Sequence, residues 1–290
     1  MGLENFIPEL WSDRLFVKLR KTQVYRGLVN TDYQGQITEY GDTVHISEIG
    51  PVTVSAYTKH GTLSYETLDS ATKTLLIDQV SAFSFKIDDI DKAQTKPKLM
   101  NGAMGDAAYR ISDTVDAFIA GLYAQAGVTG SATYIGSAAS DVSVSSGNVI
   151  ETFSYAGRYL SEKNVPQENR WAAIPPWVHQ KLLMAEVGGI SATAVPKVFD
   201  DGALINGYIG QAMGFNLVVS NNVSCASAAG QYRVMCGNRS AISYAGQITT
   251  VEALRLETTF ADAVRGLYVY GAKVIQPDAL CTMYLIEAAG

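Results

Sequence analysis

One stretch of this 290-residue chain constrains its fold more than any other. Between Pro97 and Ala126, residues Met100, Met104, Ala107, Ala108, Ile111, Val115, Phe118, Ile119 and Leu122 recur at three- and four-residue steps, while Asp106, Arg110, Asp113 and Asp116 fall off the stripe. That period predicts an amphipathic helix of about 30 residues, about 45 Å long at the usual rise. A rod of that length exceeds the ~30 Å width of a small domain, so it is expected to serve as a spine on which other layers pack.

Upstream, from Tyr33 to Asp89, the period falls to two. Val44 with Ile46, Val52 with Val54, Leu75 with Ile77, and Phe83, Phe85 and Ile87 alternate with polar neighbours, which predicts half-buried strands. Ser55 to Thr62 between them is polar and turn-prone, too poor in large apolar residues to make its own core. A two-stranded hairpin alone is marginal in water, so this one is expected to lean on something else, such as another subunit. At the carboxyl end, Gln247 to Ala288 reads as a charged strand followed by an apolar one, with Phe260 to Gly266 linking them and Leu267 to Val274 returning toward a core.

The rest of the chain falls into order around these parts. Ile7 to Val24 has Pro8 near its start, Glu9 and Asp13 in its early turns and Lys18, Arg20 and Lys21 late, as the helix dipole favours. Its apolar residues Ile7, Leu10, Trp11, Leu15 and Leu19 form one stripe, so it is expected to be a docked helical arm. Thr129 to Gly147, rich in Gly, Ser and Ala, reads as a linker or flexible rim. Helices from Val149 to Lys163 and from Pro175-Pro176 to Glu186 flank a strand at Trp171 to Ile174, a compact α+β module. Gly207 to Asn222 then reads as a short helix, a glycine stop and a strand, and closing strands follow from Arg233.

Charge and cysteine usage exclude several functions. Lys and Arg number 22 against 28 Asp and Glu, a formal charge of -6, which argues against the basic footprint of a protein that grips nucleic acid through phosphates. Cys225, Cys236 and Cys281 are odd in number and lack CxxC spacing, so they suggest neither a disulfide framework nor a zinc knuckle. No stretch approaches the ~20 apolar residues of a membrane helix, and MGLENFIPELWSDRL lacks a basic start followed by an apolar run, so a soluble protein made in a cytoplasm is expected.

The motifs that tempt a catalytic or cofactor reading fall short. Gly207, Gly210 and Gly214 lack both the GxGxxG spacing and the Lys-Ser/Thr ending of a phosphate loop. Asp88, Asp89 and Asp91 lack the following glycine and distant glutamate of a calcium loop and fit a surface or capping role better. His45, His60 and His179 have no partner at metal-ligand spacing, and no GxSxG elbow accompanies a serine. The expectation is no catalytic residue, no bound cofactor and no metal.

Five segments, taken in order, carry a resemblance. These are Ile7 to Leu15 (IPELWSDRL), Tyr40 to Val44 (YGDTV), Ile87 to Gln94 (IDDIDKAQ), Gly214-Phe215 to Ser220-Asn221-Asn222, and Phe260 to Val274. Together they resemble the major capsid (coat) proteins of tailed bacteriophages, which have the α+β Hong Kong 97-type fold. The resemblance implies an N-terminal arm at 1–32, an extended E-loop at 33–80, a P-domain with the spine helix at 81–135, an A-domain at 136–240 and return strands of the P-domain at 241–290. It also implies self-assembly into hexamers and pentamers of an icosahedral shell around double-stranded DNA, bound without sequence specificity, in a virion assembled in the host cytoplasm. With no long propeptide before Ile7, a separate scaffolding protein is the expected partner, alongside a portal protein, with a decoration protein as a further candidate.

Trp11, Arg14 and Arg20 in the arm and Tyr57, Lys59 and His60 at the hairpin tip are the candidate subunit-interface residues. In some capsids of this architecture a loop lysine forms an isopeptide bond with a neighbour's asparagine; for Lys59 an uncrosslinked contact is preferred. Two alternatives stand beside this reading: the shell protein of an encapsulin-like bacterial nanocompartment, and, remotely, a cytosolic α+β enzyme.

Overall fold

The computed structural model describes residues 24–33, 43–49, 54, 56, 59, 70–88, 98–128, 133–185, 210–226, 230–256 and 258–288. A single helical turn, α1 (Tyr25–Leu28), opens the described chain. Strands β1 (Thr43–Ile49), β2 (Ser70–Leu76) and β3 (Gln79–Asp88) follow. Helix α2 (Lys98–Ala120) is the spine that the sequence period predicts. Its 23 residues span about 35 Å, and a 3-10 segment at Gly121–Gln125 extends the rod by about 10 Å. The stripe does not stay α-helical to Ala126: the tighter winding begins at Gly121, a residue that weakens helix interiors. Among the stripe residues whose burial is described, only the distal Val115, Ile119 and Leu122 are buried.

The mixed module begins with β4 (Val142–Val144), α3 (Val149–Glu162), β5 (Arg170–Ile174) and α4 (Pro176–Leu183). Residues Val149, Phe153, Ala156 and Leu160 lie on the buried face of α3, and complete burial of Phe153 and Leu160 contributes about 2 kcal/mol each. Asn164, in the left-handed region at φ 60°, ends that helix by letting the Val165 amide reach the Leu160 carbonyl at 3.1 Å. Then come β6 (Gln211–Ala212), β7 (Phe215–Val219), β8 (Ser224–Ala226) and β9 (Gln231–Asn238). The chain closes with β10 (Ile242–Arg255), β11 (Ala261–Val274) and β12 (Leu280–Glu287).

Three sheets result among the described residues: β1 with β2; β10-β11-β3; and a seven-stranded sheet ordered β4-β12-β9-β5-β7-β6, with β8 sharing the edge of β9 that also meets β5. The last strand, β12, does not join β10 and β11. It lies between β4 and β9, paired antiparallel with β9 from Leu280 opposite Gly237 to Ile286 opposite Gln231. One large core joins this sheet, α3, α4, the distal half of α2 and Tyr25.

Three local expectations are corrected. Gln211-Ala212 is a strand, not the end of a short helix. With Phe215 opposite Ala212, Met213 (φ 51°) and Gly214 (φ 80°) form a two-residue hairpin turn whose two positive φ angles match the right-handed strand twist. Phe260 to Gly266 is not a link, because β11 starts at Ala261 and pairs with both β10 and β3. The described part of the Gly/Ser/Ala-rich stretch, 133–147, is packed: Ile135 is buried, its carbonyl accepts the Tyr284 amide at 2.8 Å, and Val144 sits in the sheet. Small residues there permit close approach, since a Cβ on Gly136 would lie 2.8 Å from Cβ of Tyr284.

Candidate assembly interfaces

The β1–β2 hairpin is rooted in the subunit at its Thr43–Leu76 end. Val44, Leu75 and Ile77 are buried against Ala245 and Val269, forming a small core separate from the main one. Lys273 Nζ donates to the Thr74 carbonyl at 2.8 Å, and Gly271 lies so close to the Leu76 carbonyl that a side chain there would collide with it. Seven residues pair on each strand, from Thr43 opposite Leu76 to Ile49 opposite Ser70, a ladder of about 23 Å. Beyond the root, His45 is exposed and Ile46 only partly covered. Val54 is 94% exposed and not in a strand, and Val52 lies outside the described residues.

A buried carboxylate ties the start of the described chain to the spine. Asp116, expected on the polar face of α2, is 1% exposed. Its Oδ1 accepts the Val24 and Tyr25 amides at 3.1 and 2.8 Å, capping α1, and its Oδ2 accepts Asn222 Nδ2 at 3.2 Å. Asn222 also donates to Asp113 at 2.7 Å. Desolvation raises the Asp116 pKa above the ordinary carboxylate value, although the hydrogen bonds it accepts pull the other way. Burial likewise raises the pKa of Tyr25, whose ring meets Trp171 edge-on at 6.4 Å. Sequence periodicity does not reveal Asp116, because its partners are about 90 residues away along the chain.

The long β10–β11 ribbon carries its charges in cross-strand pairs, Arg265 with Glu252 and Arg255 with Asp262, both solvated. Its far end exposes Val251, Leu254 and, beside the turn, Phe260. Two further arginines are structural. Arg170 donates to the carbonyls of Gly157, Val165 and Pro166 and to Ser161 Oγ, closing the loop after α3. Arg233 pairs with Asp141 in a nearly buried bridge and stacks over the Tyr284 ring at 4.6 Å.

Among the six candidate interface residues, only Lys59 is described, exposed in a turn; Trp11, Arg14, Arg20, Tyr57 and His60 lie outside the described residues. Of the acidic cluster, Asp88 ends β3, and Asp89 and Asp91 lie outside. His179 is partly buried on α4, far in sequence from exposed His45, and no group of three or more His, Cys, Asp or Glu able to hold a metal ion occurs among the described residues. Cys236 and Cys281 face each other as buried register partners, whereas Cys225 is exposed. No described helix is long and apolar enough to cross a membrane.

The phage capsid protein family matches residues 71–283, a span that begins inside β2 and ends inside β12. The chain belongs to that family. The Mycobacterium phage Che8 structure is similar at 30% identity, covering 97% of this chain and 98% of that one with a TM-score of 0.76. The capsid of cyanophage P-SCSP1u has the same fold at 17% identity, with 99% and 95% coverage and a TM-score of 0.74. That of bacteriophage PhiM1 follows at 13% identity, 96% and 91% coverage and a TM-score of 0.69. No curated protein matches the chain. The protein is thus a major capsid protein with the α+β Hong Kong 97-type fold, a structural subunit of a phage's icosahedral shell. Its place is the virion capsid, and its primary partner is itself.

Proposed function

We propose that the subunit forms hexamers and pentamers held together by two projections, the arm and the E-loop hairpin, and that it has no catalytic role. The observation that carries this reading is the hairpin itself, anchored at Val44, Leu75 and Ile77 with a seven-residue ladder in which His45 is exposed and Ile46 only partly covered. A ladder so poor in apolar cover gains stability by burying its outer part on a neighbour, and many modest contacts closed by symmetry outlast any single one. Trp11, Arg14 and Arg20 of the arm and Tyr57, Lys59 and His60 of the hairpin tip then supply inter-subunit contacts, with Lys59 uncrosslinked.

In domain terms, the arm is 1–32, the E-loop 33–80, the P-domain 81–135 with the return strands from 241, and the A-domain 136–240, to whose sheet β12 adds the final strand. The shell is assembled in the host cytoplasm around a separate scaffolding protein, incorporates a portal and accepts a decoration protein. It encloses double-stranded DNA without reading its sequence, and the formal charge of -6 suits a lining along which DNA slides.

The test is coexpression with the scaffolding protein, read by electron microscopy. The unaltered chain is expected to give hollow icosahedral shells. Removing residues 1–23, or replacing Tyr57 to Gly61 by a short Gly-Ser turn, is expected to block assembly while leaving folded subunits. Shells from both variants would refute the role of these projections, and loss of subunit folding would place them in the core instead.

A further inference from the structure

Strand β3 ends the sheet β10-β11-β3, so among the described residues one side of its backbone has no strand beside it. At ten residues it is a long edge, and an open row of amides and carbonyls is a template for another chain. The spine does not hide it. A groove of about 630 Å³ between β3 and α2 touches five consecutive residues, Ser81 to Phe85, which point to alternate faces, so it reaches the backbone between them. On the α2 side of the groove stand the small side chains of Ala103 and Ala107.

The outward face of this strand reads Asp78, Val80, Ala82, Ser84 and Lys86, all exposed. A lysine on an edge ordinarily keeps other strands away. Here the spacing does the opposite. When two β3 strands lie antiparallel about a two-fold axis at Ala82, Lys86 of each falls opposite Asp78 of the other, Ser84 opposite Val80, and Ala82 opposite itself. An axis at Phe83 sets Asp78 against Asp88 instead, and one at Ser81 sets Lys86 against Leu76. Both charges are open to a partner: Asp78 accepts Gln79 Nε2 at 3.0 Å, and neither it nor Lys86 is in an ion pair among the described residues.

We propose that β3 is an interface between two copies of this chain, which pair edge to edge about a two-fold axis at Ala82 and join their three-stranded sheets into one of six. Asp78 to Lys86 of each copy take part, over about 27 Å, with an Asp78–Lys86 pair closing each end. Backbone hydrogen bonds hold the contact and the side chains set its register. Such a contact is isologous, and an icosahedral shell has two-fold axes on which to place it. The proposal needs neither hexamers and pentamers nor the arm and hairpin contacts, so its failure and theirs are read separately.

The experiment uses the full chain as free subunits, carrying Ala82→Cys with exposed Cys225 changed to Ser. After mild oxidation, non-reducing electrophoresis is expected to show a band of twice the subunit mass, at least about fivefold stronger than from Lys86→Cys. The register brings the two copies of position 82 within disulfide reach and holds those of position 86 about 27 Å apart. A band no stronger than that reference overturns the proposal. In the Ala82→Cys background, Lys86→Glu or Asp78→Lys alone is expected to weaken the band at least about fivefold, less so with added salt, while the two together restore it. Equal bands from all four chains, or a double exchange as weak as the single ones, also overturn it. A folding defect cannot mimic the recovery, since Asp78 and Lys86 of one subunit are about 27 Å apart.

Discussion

Replacing Asp116 tests how Val24 and Tyr25, at the start of the described chain, are joined to the spine. Asp116→Ala leaves the Val24 and Tyr25 amides without an acceptor and strips Asn222 of one of its two carboxylate partners. A lost cap costs about 0.5–2 kcal/mol, and a buried donor left unsatisfied about 1–3 kcal/mol. Against this stands relief from burying a charge, which the raised Asp116 pKa signals. The net expectation is a loss of about 2 kcal/mol, or a urea midpoint lower by about 0.7 M for a slope of about 3 kcal/mol/M. Asp116→Asn keeps one carbonyl for the amides and is expected to lose about half as much.

The pH dependence separates charge from geometry. Because the folded-state pKa lies above the ordinary value of 3.8, the native chain binds the Asp116 proton more tightly than the unfolded chain does. This group's stabilising share is therefore greatest at acid pH and falls as pH rises from 3.8 through the folded pKa. Urea unfolding of the unassembled subunit across that window is expected to show this fall in the unaltered chain, and its absence in Asp116→Asn. A loss below about 0.5 kcal/mol for Asp116→Ala, or the same pH slope in Asp116→Asn, would refute the reasoning.

Two further outcomes are expected from unfolding measurements. Gly136→Ala and Gly214→Ala impose the same left-handed strain, about 1 kcal/mol at φ 77° and 80°, but only at Gly136 does the new Cβ meet Tyr284, so its loss is expected to exceed the other by about 1–3 kcal/mol; equal losses would mean that β12 gives way at no cost. Glu252→Ala breaks the cross-strand pair with Arg265, yet both side chains are solvated, so a change under about 1 kcal/mol that shrinks with added salt is expected in thermal or urea melts; a larger, salt-independent loss would show a tighter coupling of β10 to β11 than solvent screening allows.

Local periodicity made much of the architecture legible. The α2 stripe, the α3 and α4 helices and the alternation in β1, β2 and β3 are all set by which face must leave water, and that preference is written in residue spacing. The misread segments have partners that spacing cannot name. Ala261 to Gly266 looks like a link until Asp88 to Phe83 comes alongside it from nearly 180 residues away. Gln211-Ala212 continues a helical reading until the Met213-Gly214 turn folds it onto Phe215. For the interfaces, alternation placed the hairpin strands but did not name their support, Ala245 and Val269, and the helical arm expected before Val24 lies outside the described residues.

By itself the sequence determined most of the helices and strands, their order and the phage capsid resemblance, because segment periods and local motifs are properties of short runs of chain. Only the tertiary structure decided that Asp116 is a buried cap and not a surface charge, that β12 crosses into the seven-stranded sheet, and that Met104, Ala108 and Ile111 of α2 line a groove with Phe83, Val251 and Leu267. The physical reason is common to all three: burial and hydrogen-bond partners depend on which distant segments arrive together, and the balance of desolvation against pairing exists only once they have.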